Sequence, residues 1–200
     1  MIRGLVLAGG KSSRFGQDKA LALYQGVRFL DRAVSILESV DLKPIVVTRR
    51  GADYPFLKYP VLYDKLPDQG PLGGIYTAMT VFKNTTFLIL TCDMPALTSE
   101  TLRELLNEHE PARQLTCYST INRAEQPFPA IYEPSILKII REKIIKNDLS
   151  MTSLFREIPL RKVINRQDRL NVFSNMNTQE DLRVLSSAER ATRDCFSRRR

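Results

Sequence analysis

Short apolar runs of strand length alternate with segments of helical periodicity along the 200-residue chain, and this alternation constrains the fold most. The run from Ile2 to Leu7 is bounded by glycine, and Phe87 to Leu90 is typical of an interior strand. Between them, apolar residues recur at helical spacing from Phe29 to Val40. Alternating strands and helices are typical of a parallel sheet covered on both faces. We therefore predict a three-layer α/β fold, with a mostly parallel, twisted sheet between two layers of helices.

The same patterns place the remaining elements and indicate one folded unit. The further predicted strands are 45–47, 61–63, 114–120, 130–132 and 161–164, and the further predicted helices are 75–82, 136–145 and 151–158. Two more helices follow candidate caps, one at Thr98 or Ser99 and one at Thr178, with Asp181 three residues on. No repeat or linker interrupts the chain. We expect residues 1–185 to form a single domain, followed by a basic tail at 186–200 with the composition of a disordered terminus.

Composition excludes several classes of protein. With 43% hydrophobic residues the chain can bury a core, and no stretch of about 18 apolar residues predicts a membrane span. The three cysteines are odd in number, widely spaced and outside any CxxC pair, so neither a disulfide framework nor a zinc site is indicated. We therefore expect a soluble protein in the reducing cytoplasm, with no membrane partner.

The basic charge has two competing explanations. The chain carries 30 lysines and arginines against 22 acidic residues, a formal net charge of +8. Such a surplus suits a nucleic-acid-binding module or an enzyme with polyanionic substrates. Helix-turn-helix spacing, zinc ligands and basic motifs interleaved with aromatic residues are all missing from the sequence, so nucleic acid is the weaker of the two.

A glycine-rich loop follows the first predicted strand. Gly9 and Gly10 allow the backbone to approach a ligand closely and to present N–H groups to anionic oxygens. Arg14 and Lys19 then add positive side chains to the same loop. The pattern matches neither the P-loop nor the dinucleotide-binding fingerprint. It nevertheless predicts a phosphate-binding loop at this end of the sheet.

Two carboxylates also follow predicted strands. Asp64 precedes the glycine-rich segment 70–74, where glycines would leave room for a ligand whose hydroxyl or amino group the carboxylate could bind. The alternative is an aspartate that caps a turn. Asp93 follows the most buried strand, where a carboxylate is costly unless it is paired, coordinated or open to a cleft. Mg²⁺ is its natural partner, because this ion bridges carboxylates to substrate phosphates. We interpret the adjacent Cys92 as a small core residue.

Taken together, these motifs resemble the molybdenum cofactor guanylyltransferases, the MobA family of nucleotidyltransferases. The resemblance runs from about Leu5 to Leu182 and rests on four segments: Leu-Ala-Gly-Gly-x-Ser-x-Arg-Phe-Gly-x-Asp-Lys at 7–19, Asp64 with Gly-Pro-Leu-Gly-Gly-Ile, Cys-Asp-Met-Pro at 92–95 and Asn-Met-Asn-Thr at 175–178. The first and third are shared by nucleotidyltransferases in general, whereas the Asp-Lys ending of the first segment and the other two segments favour this family. The resemblance implies a Rossmann-like nucleotidyltransferase fold.

The resemblance also implies an activity and a set of residue roles. GMP would be transferred from GTP to the terminal phosphate of molybdopterin, with release of pyrophosphate and formation of a guanine dinucleotide. The implied roles are nucleotide contacts by Leu7, Ala8, Gly9, Gly10, Lys19, Asp64 and Asp93, catalytic contacts by Arg14, Lys19 and Asp93, and Mg²⁺ ligation by Asp93 and Asn177. It further implies transient contacts with other proteins of cofactor biosynthesis or with acceptor molybdoenzymes.

Two departures from the family pattern keep alternatives open. Thr48-Arg49-Arg50 stands where members often have an asparagine after the second strand, and the segment 123–130 matches the family's substrate loop only loosely. A related nucleotidyltransferase that uses CTP, or a sugar or polyol phosphate acceptor, is therefore the nearest alternative. A non-catalytic nucleotide-binding relative is a third, although Lys19 and Asp93 are both retained.

Overall fold

A seven-stranded sheet forms the centre of the computed structural model, which describes residues 1–9, 18–66, 68–119, 125–158, 161–165, 170–178 and 180–185. The strands are β1 (Ile2–Leu7), β2 (Leu23–Tyr24), β3 (Val27–Arg28), β4 (Pro44–Thr48), β5 (Val61–Tyr63), β6 (Thr86–Thr91), β7 (Leu115–Ser119), β8 (Glu125–Tyr132) and β9 (Arg161–Asn165). The sheet order is β5-β4-β1-β6-β8-β7-β9, with β2 and β3 forming a separate hairpin. Among the described strands of the seven-stranded sheet, β8 alone runs antiparallel to its neighbours, so this sheet is mostly parallel, as predicted.

Helices cover both faces of this sheet. They are α1 (Phe29–Glu38), α2 (Gly70–Val81), α3 (Ser99–Asn107), α4 (Leu137–Ile145), α5 (Met151–Glu157) and α6 (180–185). The crossover through α1 carries the chain from β1 to β4, and the crossover through α2 carries it back from β5 to β6. Because right-handed crossovers in opposite directions lie on opposite faces, the two helices are separated by the sheet. The three-layer α/β prediction is therefore confirmed.

Side-chain chemistry explains where the strands and helices form. The central strands β4 and β6 are buried almost throughout, which is why most of their residues are β-branched or aliphatic. Helix α3 begins after Thr98, whose side chain accepts a hydrogen bond from the N–H of Thr101. Thr178 and Asp181 exchange hydrogen bonds of 2.8 and 3.1 Å at the start of α6, which confirms the predicted capping box.

The largest differences from the sequence prediction are the starts of α2 and β8 and the hairpin of β2 and β3. Helix α2 begins at Gly70, five residues before the predicted start at Ile75, because Gly70 has a φ of +56° and Pro71 suits a first helical turn. Strand β8 begins at Glu125, not at the predicted Ala130. The hairpin of β2 and β3 was not predicted. Its turn has positive φ at Gln25 and Gly26, as a two-residue hairpin connection requires.

The strand order defines where a ligand can bind. Strand β1 lies between β4 and β6, and the chain leaves β1 toward one side and later returns on the other. In α/β sheets this reversal opens a crevice at the carboxyl ends of the strands. None of the helices in the described ranges has the length and apolar character needed to cross a bilayer.

Candidate active site

The carboxyl ends of the central strands are held together by the backbone. The N–H of Ala8 donates a 2.8 Å hydrogen bond to the carbonyl oxygen of Val47 in β4, and the N–H of Cys92 donates to the carbonyl oxygen of Leu7 at 3.3 Å. Leu7 and Ala8 are buried, whereas Gly9 is exposed. Because the N–H of Ala8 is already used, Gly9 is the residue of this trio whose backbone best faces a ligand.

Three side chains from distant parts of the sequence converge beside this point. The ammonium Nζ of Lys19 lies 2.8 Å from Asp93 Oδ2 and 2.9 Å from Asn177 Oδ1. The N–H of Met176 donates a 2.9 Å hydrogen bond to the carbonyl oxygen of Asp93, which holds the segment 170–178 against the end of β6. The structure therefore brings together three of the predicted site residues, although 158 positions separate Lys19 from Asn177.

The second carboxylate oxygen of Asp93 makes the cluster incomplete. Asp93 Oδ1 is buried and has no hydrogen-bond partner among the described residues. A buried carboxylate oxygen without a donor costs free energy, and a cation can remove that cost. The carboxylate of Asp93 and the amide oxygen of Asn177 are both hard oxygen ligands, and Mg²⁺ often uses one or two protein oxygens with substrate phosphates. No group of three or more His, Cys, Asp or Glu that could hold a metal by itself occurs in the described part of the chain. Asp93 and Asn177 therefore fit a magnesium ion whose remaining ligands come from the substrate phosphates and water.

Cys92 lies next to Asp93 but is not available as a nucleophile. Burial, aided by the negative charge of Asp93, raises the pKa of the Cys92 thiol to about 12. The thiol therefore stays protonated at neutral pH. This agrees with the interpretation of Cys92 as a core residue.

Asp64 follows the carboxyl end of β5, on the same side of the sheet as the carboxyl ends of β1 and β6, and it caps a turn. Its Oδ1 accepts hydrogen bonds from the N–H of Leu66 at 2.9 Å and from Thr77 Oγ1 at 3.0 Å. A Cβ atom at Gly73 would lie 2.8 Å from Asp64 Oδ2, and one at Gly74 would lie 2.9 Å from the side chain of Leu7. These glycines let α2 pack closely against β1 and the Asp64 turn. The contact of Asp64 with guanosine stays a prediction.

The structure adds one residue to the site that sequence motifs did not indicate. Arg32 in α1 donates two hydrogen bonds, of 3.1 and 3.3 Å, to the carbonyl oxygen of Pro95 in the loop that carries Asp93. Its guanidinium also lies 5.0 Å from the ring centre of Tyr24. Nothing in the local sequence marks Arg32, because its partner lies 63 positions away. The predicted residues Gly10 and Arg14, and the tail 186–200, lie outside the described residues.

Comparison with known proteins identifies the family. A family model described as the MobA-like NTP transferase domain matches residues 4–166. A probable molybdenum cofactor guanylyltransferase of Flavobacterium johnsoniae is 31% identical over 90% of this chain and 94% of its own length. One of the same name from Carboxydothermus hydrogenoformans is 32% identical over 90% and 92%.

A solved structure shares the fold. The molybdopterin-guanine dinucleotide biosynthesis protein A of Archaeoglobus fulgidus superposes with a TM-score of 0.78 at 19% identity, covering 94% of this chain and 98% of its own. Taken with the cluster at the carboxyl ends of β1 and β6, these matches show that the chain belongs to the MobA-like NTP transferase family and is a nucleotidyltransferase.

Proposed function

We propose that this protein transfers GMP from GTP to the terminal phosphate of molybdopterin, forming molybdopterin guanine dinucleotide and pyrophosphate. The observation that carries the proposal is the convergence of Lys19, Asp93 and Asn177 at the carboxyl ends of β1 and β6. The relatives at about 30% identity over most of the chain carry the name of this activity and support the choice of substrates.

The chemistry needs positioning and charge more than a protein nucleophile. An anionic oxygen of the molybdopterin phosphate attacks the α-phosphorus of GTP in line, a new P–O bond forms, and the bond to the bridging oxygen breaks to release pyrophosphate. In such a transfer the protein mostly orients the reactants and neutralises developing negative charge. A phosphate oxygen is already anionic at neutral pH, so no general base is required to activate it.

Each residue of the cluster has a role in this proposal. The ammonium of Lys19 binds phosphate oxygens of the nucleotide and stabilises the charge that builds up during transfer. Asp93 and Asn177 would hold Mg²⁺, which supplies further positive charge to the phosphates. Gly9 offers its backbone, and Asp64 contacts the guanosine portion. Arg14 belongs to the same proposal as a further phosphate contact.

Base preference is the part of the proposal most open to a direct test. Purified protein would be incubated with molybdopterin, Mg²⁺ and GTP, CTP or ATP in turn, and both dinucleotide and pyrophosphate would be quantified. We expect product with GTP only, and none after removal of Mg²⁺ with EDTA.

Calorimetry of each nucleotide with Mg²⁺ separates binding from turnover. We expect GTP to bind more tightly than CTP or ATP. Consumption of CTP but not GTP would overturn the guanylyl assignment. Turnover of GTP with a sugar phosphate but not with molybdopterin would overturn the acceptor. Both outcomes correspond to the neighbouring nucleotidyltransferase activities that residues 48–50 and the segment 123–130 leave open at the sequence level.

A further inference from the structure

Tyr54 forms a buried polar contact that none of the recognised motifs includes. It lies in the loop between β4 and β5, and only 4% of it is exposed. Its hydroxyl donates a 3.0 Å hydrogen bond to Asp18 Oδ2 and lies 3.4 Å from Thr48 Oγ1. Because a phenol has one proton and the carboxylate accepts it, Thr48 is the donor to the Tyr54 oxygen. The contact therefore runs from the end of β4 through Tyr54 to Asp18.

The phenol remains a donor across the pH range of any activity assay. Burial raises the pKa of Tyr54 to about 12, and the negative charge of Asp18 acts in the same direction. Thr48 is itself buried. A hydroxyl held between the buried Thr48 and the half-buried Asp18 is constrained in direction, because turning it away would leave polar groups unsatisfied.

Asp18 also fixes the backbone turn that begins at Lys19. The second carboxylate oxygen, Asp18 Oδ1, accepts a 3.0 Å hydrogen bond from the N–H of Ala20 and caps the single 3₁₀ turn Lys19–Leu21. Ala20 is fully buried. The turn that carries Lys19 is thus fixed by one oxygen of Asp18, while Tyr54 fixes the other.

The position of this turn decides what the Lys19 ammonium can reach. Lysine has a flexible four-carbon stem, and holding its ammonium in one place costs conformational entropy. Fixing the Cα atom of Lys19 reduces the volume that its ammonium group can occupy. Nζ then lies within 3 Å of both Asp93 Oδ2 and Asn177 Oδ1.

We propose that Tyr54 is a positioning residue for Lys19, acting through Asp18 to align the ammonium with the phosphates of the substrate. Tyr54 itself does not touch the reacting atoms. The kinetic consequence rests on the nucleotidyl transfer proposed above, whereas the placement of Lys19 does not. The two can therefore be tested separately.

The decisive variant is Tyr54→Phe, with Tyr118→Phe as its matched control. Phenylalanine retains the ring that lies 5.9 Å from Phe56 and removes only the hydroxyl. Tyr118 is also fully buried, and its hydroxyl lies 2.8 Å from both the Thr101 carbonyl and Glu104 in α3, a contact that includes neither Asp18 nor Asp93 nor Asn177. The two substitutions remove the same kind of group, so a general loosening of the fold would affect both alike.

The first readout needs no substrate. Brief acetylation of the native protein, followed by peptide mass spectrometry, measures the reactivity of the Lys19 amine. We expect Tyr54→Phe to raise the Lys19 rate about fivefold, as loss of one hydrogen bond allows, and Tyr118→Phe to leave it unchanged. An unchanged rate in Tyr54→Phe, or an equal rise in both variants, would overturn the proposal. If Tyr54→Phe does not fold, Thr48→Val, which removes the donor to Tyr54, must give a smaller rise in the same direction.

The second readout is a double-mutant cycle on turnover. We expect Tyr54→Phe to lower kcat/KM about tenfold, equivalent to about 1.4 kcal/mol, and to change it less than twofold in a Lys19→Met background. Additive effects would mean that Tyr54 does not act through Lys19. Absence of guanylyl transfer by the wild-type protein would overturn the proposed function, and the acetylation result would then still decide the role of Tyr54.

Discussion

Lys19 and Lys143 both form ion pairs of 2.8 Å or less, and the two differ in whether every oxygen of their carboxylate partners is satisfied. Lys143 in α4 is 1% exposed, and its ammonium makes three 2.7 Å hydrogen bonds, to Asp148, Ser153 and Glu157. Lys19 is 17% exposed and bonds Asp93 and Asn177, yet Asp93 Oδ1 stays buried without a hydrogen-bond partner in the described residues. One cluster is satisfied by the fold, and the other leaves an acceptor for something else.

The difference separates a structural role from a functional one. A lysine has three donors, and the three acceptors around Lys143 match them. Burial alone would lower the pKa of Lys143, but the hydrogen bonds to Asp148 and Glu157 outweigh burial and raise it. A buried carboxylate oxygen without a hydrogen bond lowers the stability of the folded protein. This cost indicates that Asp93 serves to bind a ligand. We therefore expect substitutions in the Lys143 cluster to affect stability and those in the Lys19 cluster to affect turnover.

The largest effect should come from Asp93→Asn. The substitution preserves shape but removes the negative charge that the proposed Mg²⁺ site requires, so kcat/KM should fall about 10³-fold. The melting temperature should move by less than about 3 °C, because the side chain keeps its volume. Steady-state kinetics and thermal melts measure the two quantities.

Asp148→Asn is the control for this variant, because it makes the same chemical change in the satisfied cluster. It should lower the melting temperature and leave kcat/KM within about twofold. If Asp93→Asn lost its activity only by unfolding, or if Asp148→Asn reduced turnover in the folded protein, the distinction between the clusters would be wrong.

The next largest effects should come from Lys19→Met and Lys143→Met, which make the same chemical change in the two clusters. Lys19→Met should lower kcat/KM about 10²-fold and should cost less unfolding free energy than Lys143→Met, since the Lys19 side chain is 17% exposed and that of Lys143 only 1%. Lys143→Met should cost about 1–2 kcal/mol, because Asp148 and Glu157 lose their shared cation but can be hydrated.

Lys143→Ala extends this test, because it also opens a cavity and should cost about 2–3 kcal/mol. Denaturant unfolding followed by circular dichroism measures all three variants. Equal stability losses for Lys19→Met and Lys143→Met would remove the distinction, as would loss of turnover in folded Lys143→Met.

The sequence predicted the fold wherever local chemistry decides structure. The apolar runs at β1 and β5 fixed both bounds of each strand, and Thr98 and Thr178 marked helix starts through their side-chain oxygens. Prediction failed where one residue conformation decides the outcome. Gly70 starts α2 through a positive φ, and β2 and β3 are too short to show an alternating pattern.

The candidate site was predictable only in part. Lys19 and Asp93 each follow a strand, and the two strands are parallel neighbours. Both residues therefore lie beyond the same ends of the sheet strands, the carboxyl ends. Asn177 reaches them because the segment 170–178 is bonded to the Asp93 loop, which no local pattern shows. Arg32 and Tyr54 have partners 63 and 36 positions away, and only the folded chain reveals such contacts.

The smallest effect should appear as the acid dependence of stability in the Lys143 cluster. Hydrogen bonds from Lys143 and then Ser153 lower the pKa of Asp148 from 3.8 to about 2. A carboxyl group whose pKa is lower in the folded protein contributes stability above its unfolded pKa and loses it as the pH falls through the folded value. The difference in melting temperature between wild type and Asp148→Asn should therefore be constant from about pH 5 to 8 and shrink between about pH 4 and 2. Melts at several pH values measure it, and a difference that grows on acidification would show that Asp148 is not held in its charged form by Lys143.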